Sequence, residues 1–426
     1  MSGIYAGGNL IKQIREGKNF PEIAAYAKDC LFKDGPVDTV ILEIISYLKL
    51  FQPDYFATIE NDIIEVMGLF FKNPSPDSLQ GVVFDLYADH IREQFGQNYT
   101  PMQADIIKQI ESKNCFSFSA PTSTGKSFVF RNLIQKSNHD IAVIVPSRAL
   151  INEYHDRIIE AVDIKEVNVL TFVDRINTKH AKRNVFILTP ERARELFKNK
   201  TWLNIDYILF DEAQLSDEKS TRGLYFDSIV RRAINTFPAA KLIFAHPFIS
   251  NPQAQLEKNK IDIDESSVSR QYKQKNVGQV FYTYNPATGE FHHFGTNKSV
   301  FGAQKLLSDN DPIELTLKNE GSVLVYVAKT HILNKSVLHQ FEKYIALCPE
   351  ITDPEAVEMI EELRSYVGAS KNDKDYYNSS MLELLSHGIV THHGSMPLTA
   401  RSILEHFTQR GFCRICFATS TLEQGI

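Results

Sequence analysis

Two stretches of this chain have residue types and spacings that suit chemistry on a phosphoanhydride. The first is Ala120-Pro121-Thr122-Ser123-Thr124-Gly125-Lys126-Ser127, which follows an apolar run at 115–119 and opens a helical pattern at Lys126. It reads as a phosphate-binding loop with Ala in place of the first Gly of the common pattern. Backbone N–H groups of Thr122, Ser123, Thr124 and Gly125, with the N-terminus of the helix, would cradle phosphate. Lys126 would reach the β/γ oxygens, and Ser127 would ligate Mg²⁺. The second is Phe210-Asp211-Glu212-Ala213-Gln214, which closes the apolar run 207–210. An acidic pair at the carboxyl end of a neighbouring strand is where a metal-holding Asp and a water-orienting Glu must sit. On its own such a pair is usually a solvated helix start. With the phosphate loop upstream, Asp211 is the expected metal holder and Glu212 the expected catalytic residue.

These residues need elements to hold them, and the apolar pattern supplies them. Short apolar runs at 115–120, 142–146, 167–171, 185–189, 207–210 and 241–245 alternate with helix-like stretches such as 149–162 and 191–198. This rhythm predicts a parallel sheet covered on both faces, a doubly wound α/β domain. Before it, Val40, Ile41, Ile44, Ile45, Leu48 and Leu50, then Ile59, Ile63, Ile64 and Met67, recur at helical spacing between Gly and Pro breaks, which predicts a small all-α domain. After it, runs at 277–283 and 290–294 flank Tyr284-Asn285-Pro286-Ala287-Thr288-Gly289 as a β-hairpin. Alternation then resumes with strands at 322–327, 388–391 and 413–419 and helices at 335–345 and 353–366, a second α/β lobe. The expected domains are a helical domain at 1–93, a first lobe at 94–254, a hairpin linker at 255–320 and a second lobe at 321–426, which stops before such a lobe is finished.

Composition narrows the class. Of 426 residues 43% are hydrophobic and 23% charged, which excludes a disordered or low-complexity chain. No apolar run approaches the ~20 residues that span a bilayer. Five scattered cysteines and the absence of a leader pattern at the start fit a reducing interior, so a soluble cytoplasmic protein without a membrane partner is expected. The net charge of −6, from 46 basic and 52 acidic residues, leaves the partner open, because a local groove of positive charge outweighs the total. Cys413-Arg414-Ile415-Cys416 is a lone pair of cysteines in a predicted strand, with alternate residues on opposite faces and too few ligands for zinc. The basic segment 175–183, with Lys179, Lys182 and Arg183, reads as a solvated loop before it reads as a nucleic-acid contact.

With the phosphate loop and the Asp-Glu-Ala-Gln box in place, the sequence resembles superfamily 2 helicases of the DExD/H type. The resemblance covers positions 99 to 426. Tyr99-Thr100-Pro101-Met102-Gln103 resembles the Q motif, which implies that Gln103 reads adenine and that the nucleotide is ATP with Mg²⁺. Pro146-Ser147-Arg148 resembles motif Ia, Thr189-Pro190-Glu191 motif Ib and Lys329-Thr330 motif IV. His392-His393-Gly394 and Thr419-Ser420, with Glu423 and Gly425, resemble motifs IVa and V of the superkiller-type branch, which Arg222-Gly223 after the box also fits. The resemblance implies two RecA-like lobes. It gives Gln214 a catalytic place and puts Glu423 and Gly425 at the nucleotide. Pro146, Ser147, Arg148, Thr189, Pro190, Glu191, Lys329, Thr330, His393, Gly394, Thr419 and Ser420 fall along a nucleic-acid backbone, as phosphate-positioning residues. His392 and His393 become groove residues rather than metal ligands.

The function implied is an ATP-dependent helicase or translocase on nucleic acid, DNA before RNA, and the added helical domain is compatible with a bacterial antiphage-defence helicase of the Hachiman type and with a protein partner. The other reading is an ATP-gated clamp that binds without unwinding. It draws on two departures: Ala245-His246-Pro247 stands where motif III carries Ser-Ala-Thr, and the arginine of motif VI is expected beyond Ile426. A fragment ending there is expected to turn over ATP slowly and to aggregate.

Overall fold

In a computed structural model that describes residues 10–72, 78–121, 124–174, 181–217, 221–370 and 379–419, the N-terminal helices begin and end on local capping chemistry. They are α1 (Leu10–Arg15), α2 (Phe20–Asp34), α3 (Thr39–Phe51), α4 (Pro53–Val66) and α5 (Leu79–Phe95). The Asp38 carboxylate accepts from the Val40 N–H at 2.8 Å at the start of α3, and Ser78 caps α5 from Gly81 at 3.0 Å. Proline opens α2 and α4, where its missing N–H costs nothing. Ile41, Ile44, Ile45 and Leu48 are buried, as their spacing predicts, whereas Leu50 is exposed. The hairpin segment completes this core. Phe301 is fully buried among the helices, and Thr296 donates to the buried Glu43 carboxylate from its N–H at 3.2 Å and its hydroxyl at 2.5 Å.

The next elements build a seven-stranded sheet. Its strands are β1 (Cys115–Ser119), β2 (Asp140–Ile144), β3 (Val167–Leu170), β4 (Arg183–Leu188), β5 (Ile205–Phe210), β6 (Lys241–His246) and β7 (Ser267–Gln271), in the order β3-β4-β2-β5-β6-β1-β7 with every pair parallel. Helices α6 (Pro101–Ser112), α7 (Lys126–Lys136), α8 (Arg148–Ile159), α9 (Pro190–Lys198) and α10 (Thr221–Thr236) cover it. Phe116, Phe118, Ile141 and Val143 pack under Val129, Phe130 and Ile151 on one face. Phe186, Phe210 and Phe244 pack against Leu196, Phe226 and Val230 on the other. Each fully buried side chain of this size contributes roughly 1.5–3 kcal/mol of transfer energy. This is the covered parallel sheet of a RecA-like lobe, as expected.

Contacts divide the chain into two units: Met1–Thr283 with His292–Leu306, and Tyr284–Phe291 with Leu307–Ile426. The short strands β8 (Tyr282–Asn285), β9 (Glu290–His293) and β10 (Leu306–Leu307) form a small sheet where the chain passes between them. In the second unit β11 (Val323–Tyr326), β12 (Ile389–His392) and β13 (Ile415–Ala418) form a parallel sheet in the order β11-β13-β12. Ile389, Ile415 and Phe417 face Leu317 and Tyr344, while Val390, Cys416 and Ala418 face Leu363, Leu404 and Phe407.

Several elements differ from the sequence reading. β7 lies inside the stretch read as linker and pairs with β1 from Cys115↔Ser267 to Ser119↔Gln271. Its sequence Ser-Val-Ser-Arg-Gln has a single apolar residue, so an edge strand leaves no hydrophobic signal. The helix expected at 335–345 is two short helices, Ser336–Gln340 and Glu342–Ile345, entered through Lys335 at φ 59°. The two cysteines do not point to opposite faces. Cys413 precedes β13, and it and Cys416 lie in the same core. His392 is not a groove residue: it is 2% exposed, and its Nε2 bonds Glu405 Oε1 at 2.8 Å.

Candidate nucleotide and nucleic-acid site

β1 carries the chain to the phosphate loop, and the loop is tied by its own polar groups. Thr124 donates from its hydroxyl to the Pro121 carbonyl at 2.5 Å. Gly125, at φ 79°, turns the backbone into α7. A Cβ there would also stand 2.7 Å from the Gln103 amide nitrogen, so the turn and the close approach both require glycine. Gln103 closes a capping box with Thr100 at the start of α6 and donates from Nε2 to the Thr124 carbonyl at 3.0 Å. The Q-motif glutamine thus braces the loop directly. Thr122 and Ser123 lie outside the described residues.

Lys126 is 6% exposed, and its ammonium donates to the Ala120 carbonyl at 2.9 Å. Burial lowers its pKa, and the charges of Asp211 and Glu212 work against that shift. Asp211 follows β5 and is also buried. Its Oδ2 accepts from the Tyr154 hydroxyl at 2.8 Å and its Oδ1 from the Glu212 N–H at 3.0 Å. Burial raises the Asp211 pKa, with the tyrosine bond and Lys126 opposing it. Glu212 sits at φ 53°, a left-handed backbone that a non-glycine residue adopts at a cost. Burial and then the Asp211 charge raise its pKa, and its Oε2 accepts from Gln214 Nε2 at 2.6 Å. The Gln214 carbonyl oxygen is buried without a partner among the described residues.

Tyr154 does not stand out in the sequence, and His246 does so only as the departure where motif III is expected. Ile151, Tyr154 and Ile158 recur on the buried face of α8, and a tyrosine among aliphatic residues there is the one available signal, since a buried hydroxyl needs a partner. The partner of the Tyr154 hydroxyl is the Asp211 carboxylate. Burial first, then Asp211, raises its pKa well above the ordinary tyrosine value, so the phenol stays protonated. His246 ends β6 at the motif III position. It is 1% exposed, and its Nε2 lies 3.1 Å from Ser117 Oγ, which donates to the Pro252 carbonyl at 2.6 Å.

The remaining candidates of the first unit sit at neighbouring strand ends. Pro146 and Ser147 follow β2, where Ser147 caps α8 by accepting from the Leu150 N–H at 3.3 Å. Thr189, Pro190 and Glu191 follow β4 and open α9. The side chains of Arg148 and Arg222 lie outside the described residues. The carboxyl edge of β4-β2-β5-β6-β1 therefore carries Thr189, Ser147, Asp211, His246 and the phosphate loop in one row. Of the basic segment, Lys182 pairs with Glu166 at 2.6 Å and Arg183 donates to the Ile134 carbonyl at 2.5 Å, while Lys179 lies outside the description.

In the second unit Lys329 and Thr330 follow β11, His393 and Gly394 follow β12, and Thr419 follows β13, again at one carboxyl edge. The Lys329 ammonium donates to the Ser395 hydroxyl. Burial, then the charges of Lys329 and His392, lower the His393 pKa. Ser420, Glu423 and Gly425 lie outside the described residues.

Asp211 and Ser127 suit Mg²⁺. They offer oxygen donors, and a divalent cation would neutralise the buried Asp211 carboxylate and its half-buried neighbour Glu212. Among the described residues no three His, Cys, Asp or Glu side chains converge as a protein cage. Mg²⁺ needs none, because it takes one or two protein oxygens with substrate phosphates and water.

Comparison with known proteins agrees with this geometry. Residues 100–245 match the DEAD/DEAH box helicase family model. The ATP-dependent DNA helicase Hel308 of Thermoplasma volcanium is 22% identical over 370 residues, 85% of this chain and 48% of that protein. An uncharacterized helicase of Schizosaccharomyces pombe is 22% identical over 366 residues, 76% of this chain and 34% of its own. The chain thus spans about half the length of the first relative and a third of the second. Residues 100–245 thus resemble a DEAD/DEAH box helicase domain, in a chain similar to larger helicases.

Proposed function

We propose that this protein is an ATP-dependent helicase or translocase on nucleic acid, with DNA the substrate. The carrying observation is the row of functional side chains along one carboxyl edge of the first sheet, with phosphate loop, acid pair and two strand-contact motifs side by side. Lys126 and the loop amides would hold the triphosphate, Ser127 and Asp211 would hold Mg²⁺, and Glu212, steadied by Gln214, would orient the attacking water. Bound Mg²⁺ would neutralise charge on the β- and γ-phosphates. Ser147, Thr189, Lys329, Thr330 and His393 would contact phosphates of the strand. The name of the Thermoplasma relative supports DNA over RNA. The resemblance of the later motifs supports the superkiller-type branch, and the helical domain ahead of the first lobe fits antiphage defence of the Hachiman type.

The full-length gene product is expected to hydrolyse ATP at least tenfold faster with single-stranded DNA than without it, to respond less to RNA, and to displace a duplex strand. His246 favours a second reading. Its imidazole is locked to Ser117 where motif III hydroxyls usually link hydrolysis to strand separation, so an ATP-gated clamp would bind DNA tightly without displacement. Tight, ATP-responsive binding with no strand displacement would decide for the clamp.

A further inference from the structure

Tyr154 stands against Asp211, one of the two residues assigned to the metal. It lies on the second turn of α8, 3% exposed, and donates its single proton to Asp211 Oδ2 at 2.8 Å. An ionised carboxylate only accepts, so the direction of this bond is fixed. The other oxygen, Oδ1, accepts from the Glu212 N–H at 3.0 Å, so both oxygens are held while each keeps a lone pair for a cation.

We propose that Tyr154 is a positioning residue of the metal–nucleotide site, through a Tyr154→Asp211 relay in which one donated hydrogen bond holds the Asp211 carboxylate aimed at Mg²⁺. This rests on the reading of Ser127 and Asp211 as the metal-holding pair. Outer partners of this kind commonly change metal affinity by about 10–100-fold when removed. No step of hydrolysis is assigned to the tyrosine. It touches neither substrate nor water in this account.

Tyr154→Phe deletes the oxygen and keeps the ring that packs on the sheet. A fluorescent ATP analogue is titrated into wild type and variant in EDTA and at a series of Mg²⁺ concentrations. The variant is expected to bind the analogue in EDTA within twofold of wild type, which also shows that the site is folded. The Mg²⁺ concentration that half-saturates the metal-dependent tightening is expected to rise about tenfold or more. Asp211→Asn should abolish the same response, and the double variant should be no worse than Asp211→Asn alone. An unchanged Mg²⁺ requirement in Tyr154→Phe would overturn the relay. So would a lowered one, which would mean that the hydroxyl competes with the metal. Lys126→Ala binding the analogue as wild type does would overturn the phosphate-loop reading, and the relay with it. A wild-type-like Tyr154→Phe overturns the relay alone.

Discussion

Lys126 holds a positive charge where burial opposes it, so its removal separates function from stability. Lys126→Ala should weaken nucleotide binding at least tenfold, about 1.4 kcal/mol. The melting temperature should fall by no more than the roughly 1–2 °C that ~1 kcal/mol represents for a chain of several hundred residues, because a costly buried ammonium leaves with the lost hydrogen bond. Nucleotide titration and thermal melting check both. Glu212 gives a pH-dependent counterpart. Burial and Asp211 raise its folded pKa, so the folded state holds that proton more tightly than the unfolded chain does. Ionised Glu212 therefore costs stability above its folded pKa, and the cost vanishes below the unfolded value of about 4.3. Glu212→Gln should melt higher than wild type at pH 8, with the difference closing as pH approaches 4. A gap that widens in acid would contradict the assigned environment. At this scale the sequence was legible where one function fixes a contiguous spacing, as in the phosphate loop. Tyr154 was not, because its partner lies 57 positions away and the pairing exists only once α8 packs on the sheet.

At the scale of elements, Gly125 and Ser117 carry more than their size suggests. Gly125→Ala would need a left-handed backbone and would drive a methyl group onto the Gln103 amide. The backbone alone costs about 1–2 kcal/mol, measurable by chemical denaturation, and the bond from Gln103 to Thr124 should be lost with it. Ser117→Ala strips both a ring nitrogen of His246 and the Pro252 carbonyl of a partner, so about 1–3 kcal/mol should go with it. Loss below 0.5 kcal/mol would show that the imidazole is held elsewhere. The strands of the first sheet were legible from β1 to β6 because apolar runs buried on both faces have a distinct composition. β7 was not, since an edge strand is held by its pairing with β1 rather than by its side chains. The hairpin segment read as a linker for a related reason. Phe301 and Thr296 only acquire a role once α3 lies against them.

For the whole molecule, a net charge of −6 means that the proposed nucleic-acid contacts would fall at a few local positions rather than on a basic surface. Single-stranded DNA binding should weaken with salt by a slope in log K against log salt of about −0.7 for each Lys or Arg that neutralises a phosphate. Lys329→Ala should reduce the slope by about 0.7, and an unchanged slope would remove Lys329 from the strand path. The central claim is that nucleic acid and ATP chemistry are coupled in one machine. Its most direct test is the ATP turnover of the full-length gene product with and without single-stranded DNA, in wild type and in Glu212→Gln. Wild type is expected to be stimulated at least tenfold by DNA, and Glu212→Gln to turn over at least a hundredfold more slowly with nucleotide binding retained. Turnover that ignores DNA, or a Glu212→Gln variant that hydrolyses ATP at the wild-type rate, would contradict it.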